Sequence, residues 1–395
     1  MATKIEAFIK PELLVWARES SGYTLTDAAR KIGIPSDKLD AWEKGTSRPS
    51  IQKLRKIAKT YKRPLAVFYL SEPPKTFDPM RDFRRLSPYG ETKKSPVLLY
   101  EIRKAYQKRD VAIEMSELLN EAVVELDLAV DIGERPERAA QKIRNHTGLS
   151  MEAQMKAKNS NEALNLWRES IEELGVLVFQ TNSRSRIPLS EMRGFSISQR
   201  PYPVIVLNSS DSPNGKIFTL IHEFIHLLLN AGGICDLDDQ DGHDSEEQKT
   251  ELFCNMTAGA ILVPQGSFFE NSMVRMADKE KYWSNEELGE LADKYSVSAE
   301  VILRRLLIFG KTTANFYKQK HSEYLKIEEK KKSGFAPFHR LVVRDNGPFY
   351  TKLILNAYRQ EIITASNLSD YLGTKLKHLY DIERDVSMIQ TLGAV

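Results

Sequence analysis

The stretch from Lys216 to Asn230 constrains the fold of this chain more than any other. It contains the pattern His222-Glu223-Phe-Ile-His226 within an almost continuous apolar run. On a helix, residues four apart lie on one face, so the two imidazoles point the same way. Apolar residues all around the pattern predict a central, buried helix. Buried imidazoles and a buried carboxylate need polar partners, and a metal ion supplies one.

The pattern also indicates a specific chemistry. Two histidines one helical turn apart often form a pair of zinc ligands, and the glutamate between them then lies beside the metal. We therefore predict Zn²⁺ as the cofactor, with His222 and His226 as ligands. Glu223 is predicted to be the catalytic base that takes a proton from the attacking water. The alternative is a buried helix that carries two histidines by coincidence.

A catalytic zinc usually has three protein ligands, and this helix supplies two. Apolar and small residues recur at helical spacing from Glu251 until Pro264 ends the run, which predicts that Glu251 lies on a packed helix. Glu251 is therefore the preferred third ligand. Two alternatives stay open on spacing alone. In the first, Glu251 belongs to a solvated first turn of the helix and binds no metal. In the second, Glu247, one turn earlier, is the third ligand.

The zinc pattern and the segment from Glu251 to Pro264 together resemble the ImmA/IrrE family of bacterial metallopeptidases. In that family a helix of the form Glu-x-x-Ala-Asn-x-Phe-Ala-Ala-x-Leu-Leu-x-Pro follows the zinc motif, and its glutamate is the third zinc ligand. The resemblance thus implies that Glu251 completes the ligand set. The chain departs from the family pattern at four positions, where it has Cys254, Thr257, Gly259 and Ile261.

Residues 11–70 are predicted to form a compact bundle of short helices. Two of these helices, residues 27–32 and 37–44, are joined by the turn Gly33-Ile-Pro35, with Ser36 as the predicted N-cap of the second. Two short helices joined by a turn with glycine indicate a helix-turn-helix. The spacing of the apolar residues, glycines and Trp42 resembles the XRE/Cro-type DNA-binding domain.

The resemblance to XRE/Cro-type domains implies which residues meet double-stranded DNA. The second helix of such a domain enters the major groove, with Leu39 and Trp42 facing the core. The residues expected towards the base edges are Ser36, Asp37, Lys38 and Ala41. The residues expected near phosphates are Lys44, Ser47 and Arg48. A helix-turn-helix that contacts proteins instead of DNA stays open as the alternative.

The distribution of charge agrees with a nucleic-acid-binding head. Residues 1–110 contain 24 Lys and Arg against 13 Asp and Glu, whereas the rest of the chain contains 33 against 41. The chain has no apolar stretch of membrane-spanning length, no signal-peptide pattern at its start and only two cysteines. These features are expected of a cytoplasmic protein without a membrane partner.

The patterns predict an α+β fold that is mainly helical. Short apolar runs at 175–180, 194–198 and 204–207 predict a small sheet, and helical patterns cover 96–126, 285–307, 350–358 and 365–380. The predicted domains are an all-α helix-turn-helix bundle (1–72), a linker (73–96), a zincin-like metallopeptidase domain with the small sheet (97–270) and a helical C-terminal region (271–395).

Two functions agree with these features. The first is a DNA-binding regulatory zinc metallo-endopeptidase. For it, the family resemblance implies a repressor-type protein substrate and control of a stress, phage or mobile-element response. The second is a transcriptional repressor or antitoxin whose zincin-like domain is a sensor or docks a toxin partner without significant proteolysis. The intact zinc pattern favours the first and the fused helix-turn-helix favours the second. The oligomeric state stays open, with a homodimer as one option.

Overall fold

A computed structural model describes residues 5–74, 94–182, 185–231, 243–328 and 337–392. The chain divides into two compact units, residues 1–106 and residues 107–395. Within the described residues, no helix combines the length and the apolar character that crossing a membrane requires. The domain boundaries given above stay a prediction.

The first unit is a bundle of short helices, as predicted. It contains α1 (Pro11–Glu19), α2 (Leu25–Ile32), α3 (Ser36–Glu43), α4 (Ile51–Tyr61) and a 3-10 turn (Leu65–Tyr69). The hydroxyl of Thr24 accepts a hydrogen bond from the first turn of α2, and that of Ser50 does the same for α4. Apolar side chains from all of these elements form one core, in which Trp42 is a large member.

The prediction of Ser36 as an N-cap is wrong. Helix α3 begins at Ser36, its N-cap is Pro35 and no side chain caps it. Proline has a fixed φ near the extended value that an N-cap needs, and Pro35 has φ −61° and ψ 145°. The helix therefore begins one residue earlier than the serine suggests.

Helix α5 (Pro96–Leu119) is shorter than predicted, since the sequence pattern extends it to about residue 126. Asn120 adopts the left-handed conformation with φ 53° and ends the helix. The apolar residues beyond it, Leu126, Leu128 and Val130, lie in an irregular segment and pack into the core of the second unit. These buried side chains recur at every second residue, which is the spacing of an extended chain and not of a helix.

The second unit contains a small sheet of three strands, β1 (Leu177–Gln180), β2 (Gly194–Ile197) and β3 (Val204–Leu207). The strand order is β1-β3-β2, with β1 parallel and β2 antiparallel to β3. Every residue of β1 and β3 is buried, which explains their continuous apolar character. The predicted fold class, mainly helical α+β, is confirmed.

Helices precede and follow the three strands along the chain. Before it come α6 (Pro136–Thr147), α7 (Met151–Lys156) and α8 (Ser160–Glu172). After it come α9 (Pro213–Ala231), α10 (His243–Leu262), α11 (Gln265–Glu270), α12 (Ser272–Met276), α13 (Asn285–Tyr295), α14 (Ala299–Ile308) and α15 (Ala314–Glu328). Helix α9 packs against α8, α10, β2 and β3, so it is the central helix that its apolar surroundings predict.

The start of α9 differs from the prediction. The sequence suggests Asn214-Gly215 as the start, but the helix begins at Pro213, and Gly215 lies inside its first turn. A Cβ at position 215 would lie 2.3 Å from a carboxylate oxygen of Asp211. The glycine is thus required for close packing with Asp211 and does not mark the start of the helix. The predicted stop at Gly232-Gly233 lies outside the described residues.

The last part of the chain contains α16 (Phe338–Asn346), α17 (Pro348–Arg359), α18 (Ala365–Leu372), a 3-10 turn (Leu376–His378) and α19 (Leu379–Leu392). A single helix over residues 365–380 is predicted, and this is wrong. Gly373 has φ 63°, so the chain turns there. An analogous left-handed residue, Ser296 with φ 53°, separates α13 from α14.

Candidate metal centre

Helix α9 positions three polar side chains of the zinc pattern. Its apolar residues, among them Ile221, Phe224 and Ile225, are fully buried, and this fixes the rotation of the helix. His222 and His226 consequently project from the same face, with their Nε2 atoms 3.0 Å apart. Glu223 is 6% exposed and is buried beside them.

Helix α10 brings Glu251 to the two histidines. One carboxylate oxygen lies 3.3 Å from Nε2 of His222 and the other lies 3.2 Å from Nε2 of His226. Helix α10 begins at His243, so Glu251 is two turns inside it and not in a first turn. Within the described residues, His222, His226 and Glu251 are brought together as a group that can hold a metal ion.

The spacing of these three donors suits a small tetrahedral ion. With metal–ligand bonds of about 2.0–2.1 Å, neighbouring ligands of a tetrahedral zinc lie about 3.3 Å apart. The two Nε2 atoms lie 3.0 Å apart, and the nearest Glu251 oxygen, a different one for each histidine, lies 3.3 Å from His222 and 3.2 Å from His226, which are all close to this value. Two imidazole nitrogens and one carboxylate also form the donor set of many catalytic zinc sites, which leave a fourth position open. The residues present therefore fit zinc.

The electrostatics of the group also favour a cation at its centre. Burial disfavours the charged form of His226, but contacts from Cys254 and Glu251 outweigh burial and raise the pKa of His226. Burial opposes ionisation of Glu251 as well, yet hydrogen bonds from His222 and His226 lower its pKa strongly. The half-buried carboxylate of Glu251 thus stays ionised and attracts positive charge, which a metal ion supplies.

Strand β2 contacts the remaining residue of the zinc pattern. The hydroxyl of Ser196 donates a hydrogen bond of 2.8 Å to Oε2 of Glu223. This bond holds one carboxylate oxygen in place, and the other is not engaged by Ser196. Sequence reasoning missed Ser196 because its partner is 27 residues away and nothing in the strand pattern marks it.

Gly194 allows β2 to approach α9 closely enough for this bond. A Cβ at position 194 would lie 2.4 Å from Cγ2 of Thr219, 3.1 Å from the carbonyl oxygen of Val206 and 3.4 Å from Cγ of Glu223. Any side chain would therefore separate the strand from the helix. The sequence contains this glycine at the start of a predicted strand, where its role is visible only after the strand and the helix have packed.

Cys254 lies one turn after Glu251 on α10 and its side chain is completely buried. Burial raises the pKa of the Cys254 thiol, although contact with His226 opposes this shift. The thiol is therefore neutral at ordinary pH and contacts a candidate ligand without forming part of the three-residue group. Glu247, the rival third ligand, lies on α10, but its side chain is outside the described part.

Helix α3 and the loop after it contain the residues predicted to contact DNA. Leu39 and Trp42 are buried in its core, as the resemblance implies. The side chains of Asp37, Lys38, Lys44, Ser47 and Arg48 are exposed, and those of Ser36 and Ala41 are half-buried. All seven lie on α3 or in the loop that follows it, and their contact with DNA stays a prediction.

Local contacts involve two of these residues. Lys44 forms an ion pair of 2.6 Å with Asp40 one turn earlier, which reduces the negative charge of α3. The guanidinium of Arg48 lies 4.4 Å from the ring centre of Phe8, which is itself 72% exposed. A cation held on an exposed ring keeps its charge at the surface, where a phosphate can reach it.

Two family models match the chain. The helix-turn-helix model covers residues 14–68, and the model described as IrrE N-terminal-like domain covers residues 171–307. The second match contains β1 to β3, α9, α10 and all three donors of the metal centre. The first contains every residue predicted to contact DNA. These matches agree with both resemblances drawn from the sequence.

The chain also resembles characterised proteins over part of its length. It is 34% identical over 105 residues, 26% of the chain, to proteins named radiation response metalloprotease IrrE from Deinococcus deserti and Deinococcus radiodurans. The match covers 35% and 30% of these two relatives, about a third of their length.

A solved Mycobacterium tuberculosis transcriptional regulator shares 15% identity, with a TM-score of 0.31 over 43% of this chain and 46% of the regulator. This likeness is too small to bear on fold or function. Residues 14–68 of the chain therefore match a helix-turn-helix domain, and residues 171–307 match an IrrE N-terminal-like domain.

Proposed function

We propose that this chain is a regulatory zinc metallo-endopeptidase that binds DNA and cleaves a repressor-type protein in the cytoplasm. One observation carries the proposal. Three donors suited to zinc converge on one point, and a buried glutamate with a fixed orientation lies next to two of them on the same helix. A protein that used this fold only for docking would need neither the donors nor the glutamate.

His222, His226 and Glu251 would hold the metal ion. When bound, zinc supplies a Lewis acid that activates water and polarises a carbonyl group. The donor set of two nitrogens and one oxygen favours zinc over calcium or magnesium, which prefer all-oxygen sites. The identity of the metal is part of the proposal.

Glu223 is the proton carrier in the proposed reaction. Its carboxylate takes one proton from water as the water oxygen forms a bond to the peptide carbonyl carbon. It then gives that proton to the amide nitrogen, and the carbon–nitrogen bond breaks to release a carboxylic acid and an amine. Ser196 orients Glu223 through the hydrogen bond to Oε2, so the second oxygen stays available for the proton.

The regulatory part of the proposal depends on the fused domains. A DNA-binding domain keeps the peptidase near promoters, where repressors also bind. The relatives named as radiation response metalloproteases support a stress response as the process controlled. The presence of the helix-turn-helix also favours the second candidate, a repressor or antitoxin that binds a toxin and cleaves nothing.

Replacement of Glu223 by glutamine distinguishes the two candidates. Glutamine has nearly the same shape but does not accept the proton, and the three candidate ligands remain in place. We expect Glu223→Gln to bind metal and DNA as the wild type does, yet to leave its target protein intact after stress. The measurement compares the proteins that disappear in wild-type and Glu223→Gln cells. Identical losses in both strains would contradict proteolysis and support the repressor or antitoxin.

A further inference from the structure

The last part of the chain repeats the backbone of the helix-turn-helix in the first unit. Helix α2 follows Thr24 and ends at Gly33, and helix α18 follows Thr364 and ends at Gly373. Each of these two positions in the second segment lies 340 residues after its counterpart in the first. The two segments thus have the same helix length, cap positions and turn position.

The caps agree in their hydrogen bonds as well as in position. Thr24 and Thr364 each accept a hydrogen bond from the backbone three residues later. Gly33 and Gly373 are both left-handed, with φ of 71° and 63°. The residue after each glycine donates to the carbonyl five residues earlier, at 3.1 and 3.0 Å, which is the Schellman arrangement.

The second helix begins in the same way in both segments. Pro35 and Lys375 are extended N-caps, with ψ of 145° and 147°. The backbone of Lys38 donates to Pro35 at 3.2 Å, and that of His378 donates to Lys375 at 3.0 Å. In the second segment this turn is a 3-10 turn, which continues into α19. The entry into the second helix therefore has the same geometry in both segments.

The burial pattern repeats with the backbone. Ala28, Ile32 and Trp42 are buried in the first segment, and their counterparts Leu368, Leu372 and Ile382 are buried in the second. In both cases a preceding helix with proline in its first turn, α1 or α17, packs against the second helix. Residues 348–392 therefore form a three-helix arrangement with the architecture of a helix-turn-helix.

A third pair of helices provides a useful contrast. Helices α13 and α14 also meet at a left-handed residue, Ser296. However, most of α14 is buried in the core of the second unit, including Val301, Ile302 and Leu306. Glu300 and Arg304 of α14 lie outside this core, but they are only partly exposed and pair with each other. A helix-turn-helix backbone alone does not provide a binding surface, because the second helix must also be exposed.

The second helix of residues 364–392 does present such a face. Lys377, Tyr380, Arg384 and Ser387 are exposed and follow each other at helical spacing, and Lys375 is exposed at the cap. Tyr380 is 75% exposed, so its ring and hydroxyl are accessible to a ligand. All cations and hydroxyls on this stripe are groups that donate hydrogen bonds to phosphate oxygens.

Nearby acidic side chains are mostly paired within the second unit. Glu383 pairs with Arg359 at 3.0 Å and Asp381 with Arg384 at 2.9 Å, and the carboxylate of Asp385 contacts the imidazole of His339. Asp370 is exposed on α18. Lys375 and Lys377 thus place two exposed positive charges at the start of the second helix.

We infer that residues 348–392 form a second helix-turn-helix module whose ligand is duplex DNA. Lys375, Lys377 and Tyr380 contact the phosphate backbone in this arrangement, and the start of the second helix faces the major groove. The chain then carries two DNA-binding modules with a peptidase domain between them in sequence. This inference does not depend on the peptidase reaction.

The test uses the full chain and a labelled duplex of random sequence. Binding is measured by fluorescence anisotropy at salt concentrations from roughly 50 to 200 mM. We expect Lys377→Glu to weaken binding and to reduce the slope of log affinity against log salt by about 0.9 for each phosphate that the variant no longer neutralises. The matched control is Lys279→Glu, which makes the same charge change in an exposed loop of the same unit.

A second variant separates the two modules. In a chain with Lys38→Glu and Arg48→Glu, the first module is impaired, and we expect salt-dependent DNA binding to persist. Adding Lys377→Glu to this chain should remove the remaining DNA binding, and adding Lys279→Glu should leave it unchanged. The inference is overturned if the chain with Lys38→Glu and Arg48→Glu binds no DNA, or if Lys377→Glu behaves as Lys279→Glu does. Preference of that chain for single-stranded RNA over duplex DNA would also overturn it.

Discussion

Replacement of Gly194 by alanine tests how β2 and α9 form the candidate site. The added Cβ would lie 2.4 Å from a methyl carbon of Thr219 and 3.1 Å from the carbonyl oxygen of Val206. The methyl group can move, but the backbone oxygen belongs to the neighbouring strand. Such overpacking costs about 1–3 kcal/mol. Loss of glycine's freedom in the unfolded chain offsets about 0.4–1 kcal/mol of this.

We therefore expect Gly194→Ala to lower the free energy of unfolding by about 1–2 kcal/mol. The assay is urea unfolding of the full chain followed by circular dichroism. Gly289→Ala is the matched control, because Gly289 lies inside α13 with nothing within 4 Å of an added Cβ. Alanine there should stabilise the chain by about 0.5–1 kcal/mol. If Gly194→Ala is as stable as the wild type, β2 does not require this close approach.

Three further predictions concern other parts of the molecule. Burial raises the pKa of Glu172 from 4.5 to about 7 although Arg168 is nearby, so the folded state favours the neutral acid. The contribution of Glu172 to the free energy of unfolding should thus be fully present below about pH 4.5 and be lost as the pH rises through 7. Glu172→Gln should remove this pH dependence in urea unfolding. Arg48→Ala should weaken DNA binding at all sequences and reduce its salt slope by about 1, measured by anisotropy; an unchanged slope would exclude a phosphate contact. Ser196→Ala should lower kcat of target cleavage by up to roughly a hundredfold with little change in KM, and Ser196→Thr should restore it; equal rates would exclude orientation of Glu223 by this hydroxyl.

Local patterns predicted much of this molecule. The apolar run around His222 predicted the central helix, because burial on all sides leaves a continuous apolar sequence. The helix-turn-helix at the N-terminus was predictable because its turn and core residues lie within a few residues of each other, although the N-cap of its second helix was misplaced by one residue. These features depend on short-range periodicity and backbone preferences, which a sequence displays directly.

Features that depend on tertiary contact were not predictable in the same way. Ser196 is part of the candidate site only because β2 packs against α9. Helix α10 begins at His243, inside a polar and acidic stretch without apolar periodicity, so the prediction began it at Glu251. The turn at Gly373 was missed because apolar residues on both sides keep a helical spacing. In each case the structure depends on contacts with residues that are distant in the sequence, and a local sequence pattern does not contain these contacts.

The metal content of purified variants tests the central claim most directly. The wild type should contain about one zinc ion per chain, because the three donors surround one position. His222→Ala and Glu251→Ala should lose most of it, while Glu223→Gln and Glu246→Ala should retain it, since neither changes a proposed ligand. Zinc retained in Glu251→Ala but lost in Glu247→Ala would contradict the assignment of the third ligand. Absence of zinc from the wild type, with no uptake of added zinc, would contradict the metallopeptidase account itself.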